Sequence, residues 1–427
     1  MFFIESTIRH DLDNEIQLFQ VETPFVGQQS AGHLLEVSGW IVSSTSDPVV
    51  EIIVGCGTAP IAAFPINVAR PDVDAAFPGL GAEKVCGFRG LILAARLPRH
   101  FKLSVGYRTM SGAIGKIYEC SGKYEGLCRP ARASAFNPVM VTSLGRTGSS
   151  WLMHLLLQHP LCMTLDDWPY EAAVVQAAVA RLRSDAEHPH GREQPQSWTP
   201  LESGSRWGSI NPFAHEHILR WFESDQIQIW AEAASLDIIA FYRRHSIELG
   251  KPGASLFLEK FKPDDNAAVA RQLFPEAREI LLVRDFRDMV ASIIAFNERR
   301  HALDFGATAA TNNSDYVSLL RPSVEALLEV RTCRPDVLVL RYEDLIVNER
   351  NELAKVLFHI GADPSEEAVA EVLHNAYLSS SSSTHFGHRT SADAVRSIGR
   401  WRYDLSTEVA EACQREFKDV LGAFGYS

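Results

Sequence analysis

The sequence predicts an α/β fold, a parallel sheet flanked by helices, preceded by a small all-β sandwich. Three observations carry this reading. Near-continuous apolar runs alternate with helical periods beyond residue 138, as in a sheet buried on both faces. Short β-rich runs separated by Gly, Pro and Ser clusters fill the first 130 residues. The polar, aperiodic tract CRPARASAFNP (128–138) divides the two textures. The expected boundaries are 1–130 for the sandwich, 131–137 for a linker and 138–427 for the larger domain.

In the first part, LEVSGWIV (35–42), VVEIIVG (49–55), GFRGLILAA (87–95), FKLSVGYRT (101–109) and IGKIYEC (114–120) read as strands. Trp40 and Tyr107 are aromatics that could stack on a sugar, but their alternating positions make them core residues first. In the second part, PVMVTSL (138–144), SLFLEKF (255–261), EILLVRD (279–285) and VLVLRYED (337–344) read as buried parallel strands. Helices are expected at 149–158, 227–249 and 289–300, and one more opening at Asp363-Pro364 with Glu366 as its capping-box acid. The tract SSSSST (379–384) is expected to be a mobile loop.

The 427 residues carry 41 Lys+Arg against 53 Asp+Glu, a net charge of -12, with 46% apolar and 22% charged residues. This is a globular composition, and its acidity argues against a nucleic-acid binder while leaving room for a local anion site. The seven cysteines form no C-x-x-C pair and are odd in number, which points to reduced thiols, a cytoplasmic setting and no zinc cluster. The start MFFIESTIRHD lacks a basic n-region, so no signal peptide is read, and no window of 18 uncharged apolar residues occurs. The oligomeric state is not legible.

The most informative segment is VMVTSLGRTGSSWLMHLL (139–156). A strand runs into Gly145-Arg146-Thr147-Gly148-Ser149-Ser150 and a helix follows at once. Two glycines allow a tight turn, Arg146 adds positive charge, three hydroxyls can donate, and the helix start offers free N–H groups. Together these make a P-loop-like phosphate cradle. It is not a Walker A loop, because Ser150 stands where that motif needs lysine. A plain glycine-bearing turn is the alternative. In EILLVRDFRDMVASIIAFN (279–297), Arg284 ends a strand and Ser292 lies eight residues on, so that guanidinium and hydroxyl could converge on one phosphate. Alone, that pattern equally fits charges solvating a loop.

Together the two segments resemble the sulfotransferase superfamily, whose sulfonate donor is 3′-phosphoadenosine-5′-phosphosulfate (PAPS). The first is similar to its 5′-phosphosulfate loop. The second is similar to its 3′-phosphate motif, with Phe286 in place of the usual proline while Arg284, Arg287, Asp288 and Ser292 fit. RYEDL (341–345) and SIGRWRYDLS (397–406) resemble two further motifs in the family's order, and the carbohydrate-type bacterial branch is the nearest likeness.

The resemblance implies the sulfotransferase fold for 138–427, and roles for individual residues. Arg146 would neutralise the oxygen bridging phosphate and leaving sulfonate. Gly145, Thr147, Gly148, Ser149 and Ser150 would hold the 5′ end of PAPS, and Trp151 would stack on adenine or simply pack in its helix. Arg284 and Ser292 would grip the 3′-phosphate with Arg396, Gly399 and Arg400 from a late loop, Arg389 being an alternative, and Tyr342 would approach adenine. Lys260 matches the family's strand-end lysine, but no histidine follows it. A carboxylate base is therefore implied: Glu171 first, then Asp167, with Asp166 the third candidate. His154 reads as a packed core residue, and His385 and His388 as exposed loop residues. The acceptor implied is a carbohydrate or glycolipid hydroxyl, with no metal. The 1–130 region resembles an Ig-like module attached to bacterial glycan-modifying enzymes, through the PDVDAAFP tract and Gly87-Phe88. A P-loop kinase or hydrolase is the rival enzyme class, and a glycan-binding protein on a degenerate transferase fold is the rival without catalysis.

Overall fold

A computed structural model describes residues 2–10, 16–30, 32–43, 47–57, 59–77, 85–127, 136–165, 168–187, 221–379, 390 and 393–426. The chain divides into two compact units. One comprises Met1–Pro130, Ala177–Ser235 and Ala268–Leu273, the other Ala131–Gln176, Leu236–Ala267 and Phe274–Ser427.

The described residues of the first unit hold ten strands: β1 (Phe2–Arg9), β2 (Ile16–Thr23), β3 (Gln29–Ser30), β4 (Leu34–Ser43), β5 (Val49–Cys56), β6 (Ala59–Pro65), β7 (Val68–Ala69), β8 (Val85–Leu93), β9 (His100–Thr109) and β10 (Ile114–Tyr124). They form two antiparallel sheets, ordered β3-β1-β10-β9-β5-β6 and β2-β4-β8-β7. The two-residue period that predicts strands is visible in β9, where Phe101, Leu103, Val105, Tyr107 and Thr109 are buried and His100, Lys102 and Arg108 exposed. Trp40 packs with Val42, Val73 and Cys86. It and Tyr107 are both core side chains. The PDVDAAFP tract supplies the helix Pro71–Ala76.

The second unit is built on one parallel sheet of β11 (Asn137–Thr142), β12 (Cys162–Met163), β13 (Leu256–Phe261), β14 (Arg278–Val283) and β15 (Leu338–Arg341), in the order β12-β13-β11-β14-β15. Successive residues of β14 face opposite ways, and helices cover both faces. Ile280 and Leu282 join Val139, Val141, Leu152, Leu155, Leu353 and Leu357. Leu281 and Val283 join Phe286, Met289, Val290, Val317, Leu327 and Phe417 on the other side. Each such side chain, fully buried, contributes about 1.5–3 kcal/mol, which is why these strands are predominantly apolar. β11 is central, so the loop after it emerges at the carboxyl edge, beside the ends of β13, β14 and β15.

Several expected boundaries shift. The helix after β14 runs Phe286–Arg300, starting earlier than the expected 289, because Asp285 caps it by accepting the Arg287 N–H. Tyr342 opens the helix Tyr342–Val347 and does not extend β15. The helix expected to open at Asp363-Pro364 begins at Glu366: Ser365 Oγ accepts the Ala368 N–H at 3.3 Å, while Asp363 accepts only from Ser365 in the preceding turn. The stretch 379–384 lies outside the described residues beyond Ser379, as does 131–135 of the expected linker. Five described cysteines are free thiols, and no described helix is long and apolar enough to cross a membrane.

Candidate active site

The loop from β11 to the helix Ser149–Leu157 is shaped by backbone that ordinary residues avoid. Arg146 has φ +66° and Gly148 φ +96°, both left-handed. Gly148 is required twice over: it takes that conformation freely, and a β-carbon there would lie 2.5 Å from Cδ2 of Tyr342. At Gly145 the ring of Phe305 occupies the space a β-carbon would need. The helix after the loop buries Leu152, Leu155 and Leu156, an i, i+3, i+4 stripe that docks it on the sheet and leaves its N-terminus open.

The structure brings Arg146, Arg284, Ser292, Tyr342 and Arg400 together. Arg284 Nη1 donates to the Arg146 carbonyl at 3.2 Å, and its guanidinium lies 4.6 Å from the centre of the Tyr342 ring. Arg146 Nε donates to Ser292 Oγ at 3.3 Å, and its guanidinium lies 4.5 Å over Phe296. Ser292 Oγ is 3.0 Å from Thr390 Oγ1, which accepts from Arg400 Nη1 at 2.8 Å. Burial first, then the like charges of Arg284 and Arg400, pull the Arg146 pKa down to about 10, so it remains protonated at neutral pH. Guanidinium groups crowded in this way favour binding an anion. The Nε–H of Arg284 is buried with no hydrogen-bond partner among the described residues, a donor an anion could satisfy. Arg400 is also held by Asp404, at 2.6 Å from its Nε. An open cavity of about 280 Å³ is lined by Thr390, Arg396, Ile398, Arg400, Tyr403 and Asp404, which places exposed Arg396 beside Arg400.

Other expected residues are placed differently. Thr147 is fully buried and donates to the Leu144 carbonyl at 2.9 Å, so its hydroxyl braces the loop. Ser149 and Ser150 are half-buried at the helix start. Ser150 Oγ accepts from Lys260 Nζ at 2.8 Å. Lys260 also donates to the Pro169 carbonyl at 2.5 Å and to Glu171 Oε1 at 2.7 Å. Lys260 therefore joins the cradle to the carboxylate favoured as base, and Glu171 is otherwise 67% exposed. Asp166, Asp167, His385, His388 and Arg389 lie outside the described residues. The Trp151 ring packs 5.5 Å from His154 and 5.6 Å from Tyr377, a packing contact that leaves it half-buried. His154 is a core histidine, bonded to Tyr170 Oη at 2.9 Å and the Ala376 carbonyl at 3.0 Å. Gly399 donates its N–H to Asp288 Oδ2 at 2.6 Å, and Asp288 is fully buried, which raises its pKa.

Two groups escaped the sequence reading. Glu259, buried beside Lys260 on β13, accepts the Val174 and Val175 N–H groups at 2.8 and 2.9 Å and the Tyr242 hydroxyl at 2.5 Å. It caps the helix Val174–Glu187 and fixes the segment carrying Glu171, and burial raises its pKa. Its signal was a charged residue inside an apolar strand. Phe305, in a loop with φ +60°, leans on the cradle at Gly145, and no pattern in the sequence marks it.

No curated protein matches the chain. Among solved structures it is similar to the sulfotransferase STF9 from Mycobacterium avium, at 16% identity and TM-score 0.36, over 69% of this chain and 78% of that one. It is also similar to retinol dehydratase in complex with androsterone and inactive cofactor PAP, at 15% identity and TM-score 0.36, over 84% and 96%. Mouse sulfotransferase SULT7A1 complexed with PAP matches at 10% identity and TM-score 0.36, over 68% and 86%. The profile of the sulfotransferase family matches residues 138–366, more than half of the chain, and spans the cradle, Lys260, Arg284, Ser292 and Tyr342. The chain belongs to the sulfotransferase family.

Proposed function

We propose that the protein transfers a sulfonate group from PAPS to a hydroxyl of a carbohydrate or glycolipid, without a metal. Residues 138–427 form a catalytic domain of the bacterial carbohydrate type in this reading, 131–137 the linker and 1–130 an accessory Ig-like β-sandwich. The observation that carries it is the meeting of Arg146, Arg284 and Arg400 around Ser292, cationic groups from three distant segments on one small volume. The residues fit the donor. Gly145, Gly148, Ser149 and Ser150 with the open helix start would hold its 5′ end, Arg284, Ser292, Arg396 and Arg400 its 3′-phosphate, with Gly399 (φ +74°) turning the loop that carries Arg400, and Trp151 and Tyr342 its base. The donor supplies the sulfonate; the chain supplies position and charge.

Arg146 and Lys260 offset negative charge as it develops on the departing bridge oxygen. Glu171 takes the acceptor proton, its oxygen 2.7 Å from Lys260 Nζ, with Asp167 second and Asp166 third as alternatives. Calorimetry with adenosine 3′,5′-bisphosphate in magnesium-free buffer tests the donor. Tight binding supports the reading. Magnesium-dependent ATP binding in its place supports a kinase or hydrolase, and no nucleotide binding supports a non-catalytic glycan binder. A screen of oligosaccharides and lipids with labelled donor tests the acceptor, and labelling of neither class refutes that part.

A further inference from the structure

We infer that Arg287 and Asp288 are positioning residues that clamp the late loop over the 3′-phosphate site and so set preference for a 3′-phosphorylated nucleotide. This deepens the donor reading above and rests on it. Arg287 is nearly fully buried and already committed: its Nε and Nη2 donate to Asp285 at 2.9 and 2.8 Å, and its Nη1 to Gln414 Oε1 at 3.0 Å. Its guanidinium also lies 4.3 Å from the centre of the Trp401 ring. Asp288 uses both oxygens on the same loop, accepting from Gly399 N at 2.6 Å and Trp401 N at 2.9 Å. Neither residue is left to face a ligand. They grip residues 399 and 401 through backbone and ring, and Arg400 stands between.

Arg400 then reaches Thr390 Oγ1 at 2.8 Å, and through it Ser292 and Arg146. The same loop returns to the cradle at Ser397, whose carbonyl accepts from Arg284 Nη2 at 2.6 Å and whose hydroxyl meets Tyr342 Oη at 3.0 Å. Arg284 and Arg400 therefore hold their relative placement only while residues 397–401 are seated, and what seats them is the carboxylate of Asp288 and the face of Trp401. A phosphate that bridges two guanidinium groups gains from their spacing, whereas a nucleotide lacking that phosphate does not.

The test is the ratio of dissociation constants for 5′-AMP and adenosine 3′,5′-bisphosphate, measured by calorimetry alongside thermal melting. Asp288→Asn keeps the size but loses one acceptor; it should lower that ratio about tenfold, with 5′-AMP affinity unchanged within about twofold. Trp401→Leu keeps the backbone N–H on a half-buried position and removes the ring under Arg287; it should lower the ratio about threefold, and it carries the test if Asp288→Asn does not fold. Equal weakening of both nucleotides, or an unchanged ratio in a folded variant, overturns the clamp. A wild-type protein with no preference for the bisphosphate overturns the donor reading itself, and the clamp falls with it.

Discussion

Replacing Gly148 by alanine tests whether the cradle is fixed by contact with Tyr342 or by its backbone alone. A non-glycine residue at φ +96° costs about 1–2 kcal/mol. The new β-carbon would also stand 2.5 Å from Cδ2 and 2.8 Å from Cε2 of Tyr342, so the ring must move. That ring is tethered by its hydroxyl to Ser397 Oγ and carries the Arg284 guanidinium on its face. Losing the hydrogen bond costs about 0.5–1.5 kcal/mol. Losing the cation–π contact costs about 0.5–2 kcal/mol. The expected loss is therefore about 2–5.5 kcal/mol in the unfolding free energy of this unit, read from urea titrations followed by tryptophan fluorescence. Gly306→Ala is the control. Gly306 has φ +81° but open space where its β-carbon would go, so it should cost only the backbone share of about 1–2 kcal/mol. Equal losses in the two variants would show that Tyr342 does not fill the cradle as described, and the reasoning fails.

Arg146→Ala and Arg284→Ala should each weaken adenosine 3′,5′-bisphosphate binding by about 10- to 150-fold, the loss of one charge-assisted contact of about 1.5–3 kcal/mol; calorimetry showing a change under threefold contradicts this. Glu171→Gln should leave bisphosphate affinity intact and cut turnover about 10²- to 10⁴-fold, while unchanged turnover moves the base to Asp167. His33, buried and 2.8 Å from Tyr124 Oη, has its pKa lowered by burial to about 4, so it stays neutral in the folded state between there and 6.5 while the unfolded chain takes up a proton. Its share of stability is thus full above pH 6.5 and is lost as pH falls towards 4, by at most about 3 kcal/mol. Urea unfolding of His33→Asn across that window should show a shallower pH slope than wild type, and an identical slope argues against the buried neutral imidazole.

The sheet was legible because β11, β13, β14 and β15 are covered on both faces, and that condition writes itself as near-continuous apolar runs. The cradle was legible because left-handed backbone and a helix start demand glycine and hydroxyl residues in a fixed order. What escaped were features decided by partners far along the chain. The helix Asn313–Cys333 contains Pro322, a residue that locally argues against a helix, and packing of Val317, Val324 and Leu327 outweighs it. Glu259 looks like a surface acid until the helix end it caps is in place. Arg287 and Asp288 fit a phosphate motif by spacing, yet their side chains are spent on Asp285, Gln414 and the loop at 399–401. Spacing cannot tell a ligand contact from a brace, because both demand the same residue types.

Arg146 and Arg400 share a hydrogen-bonded chain through Ser292 and Thr390, although roughly 250 residues of polypeptide separate them. On a ribosome adding about 5–20 residues per second, the early cradle waits on the order of 10–50 s for its last cation. A chain halted before that point can complete its central sheet and still lack one of the guanidinium groups that meet around Ser292.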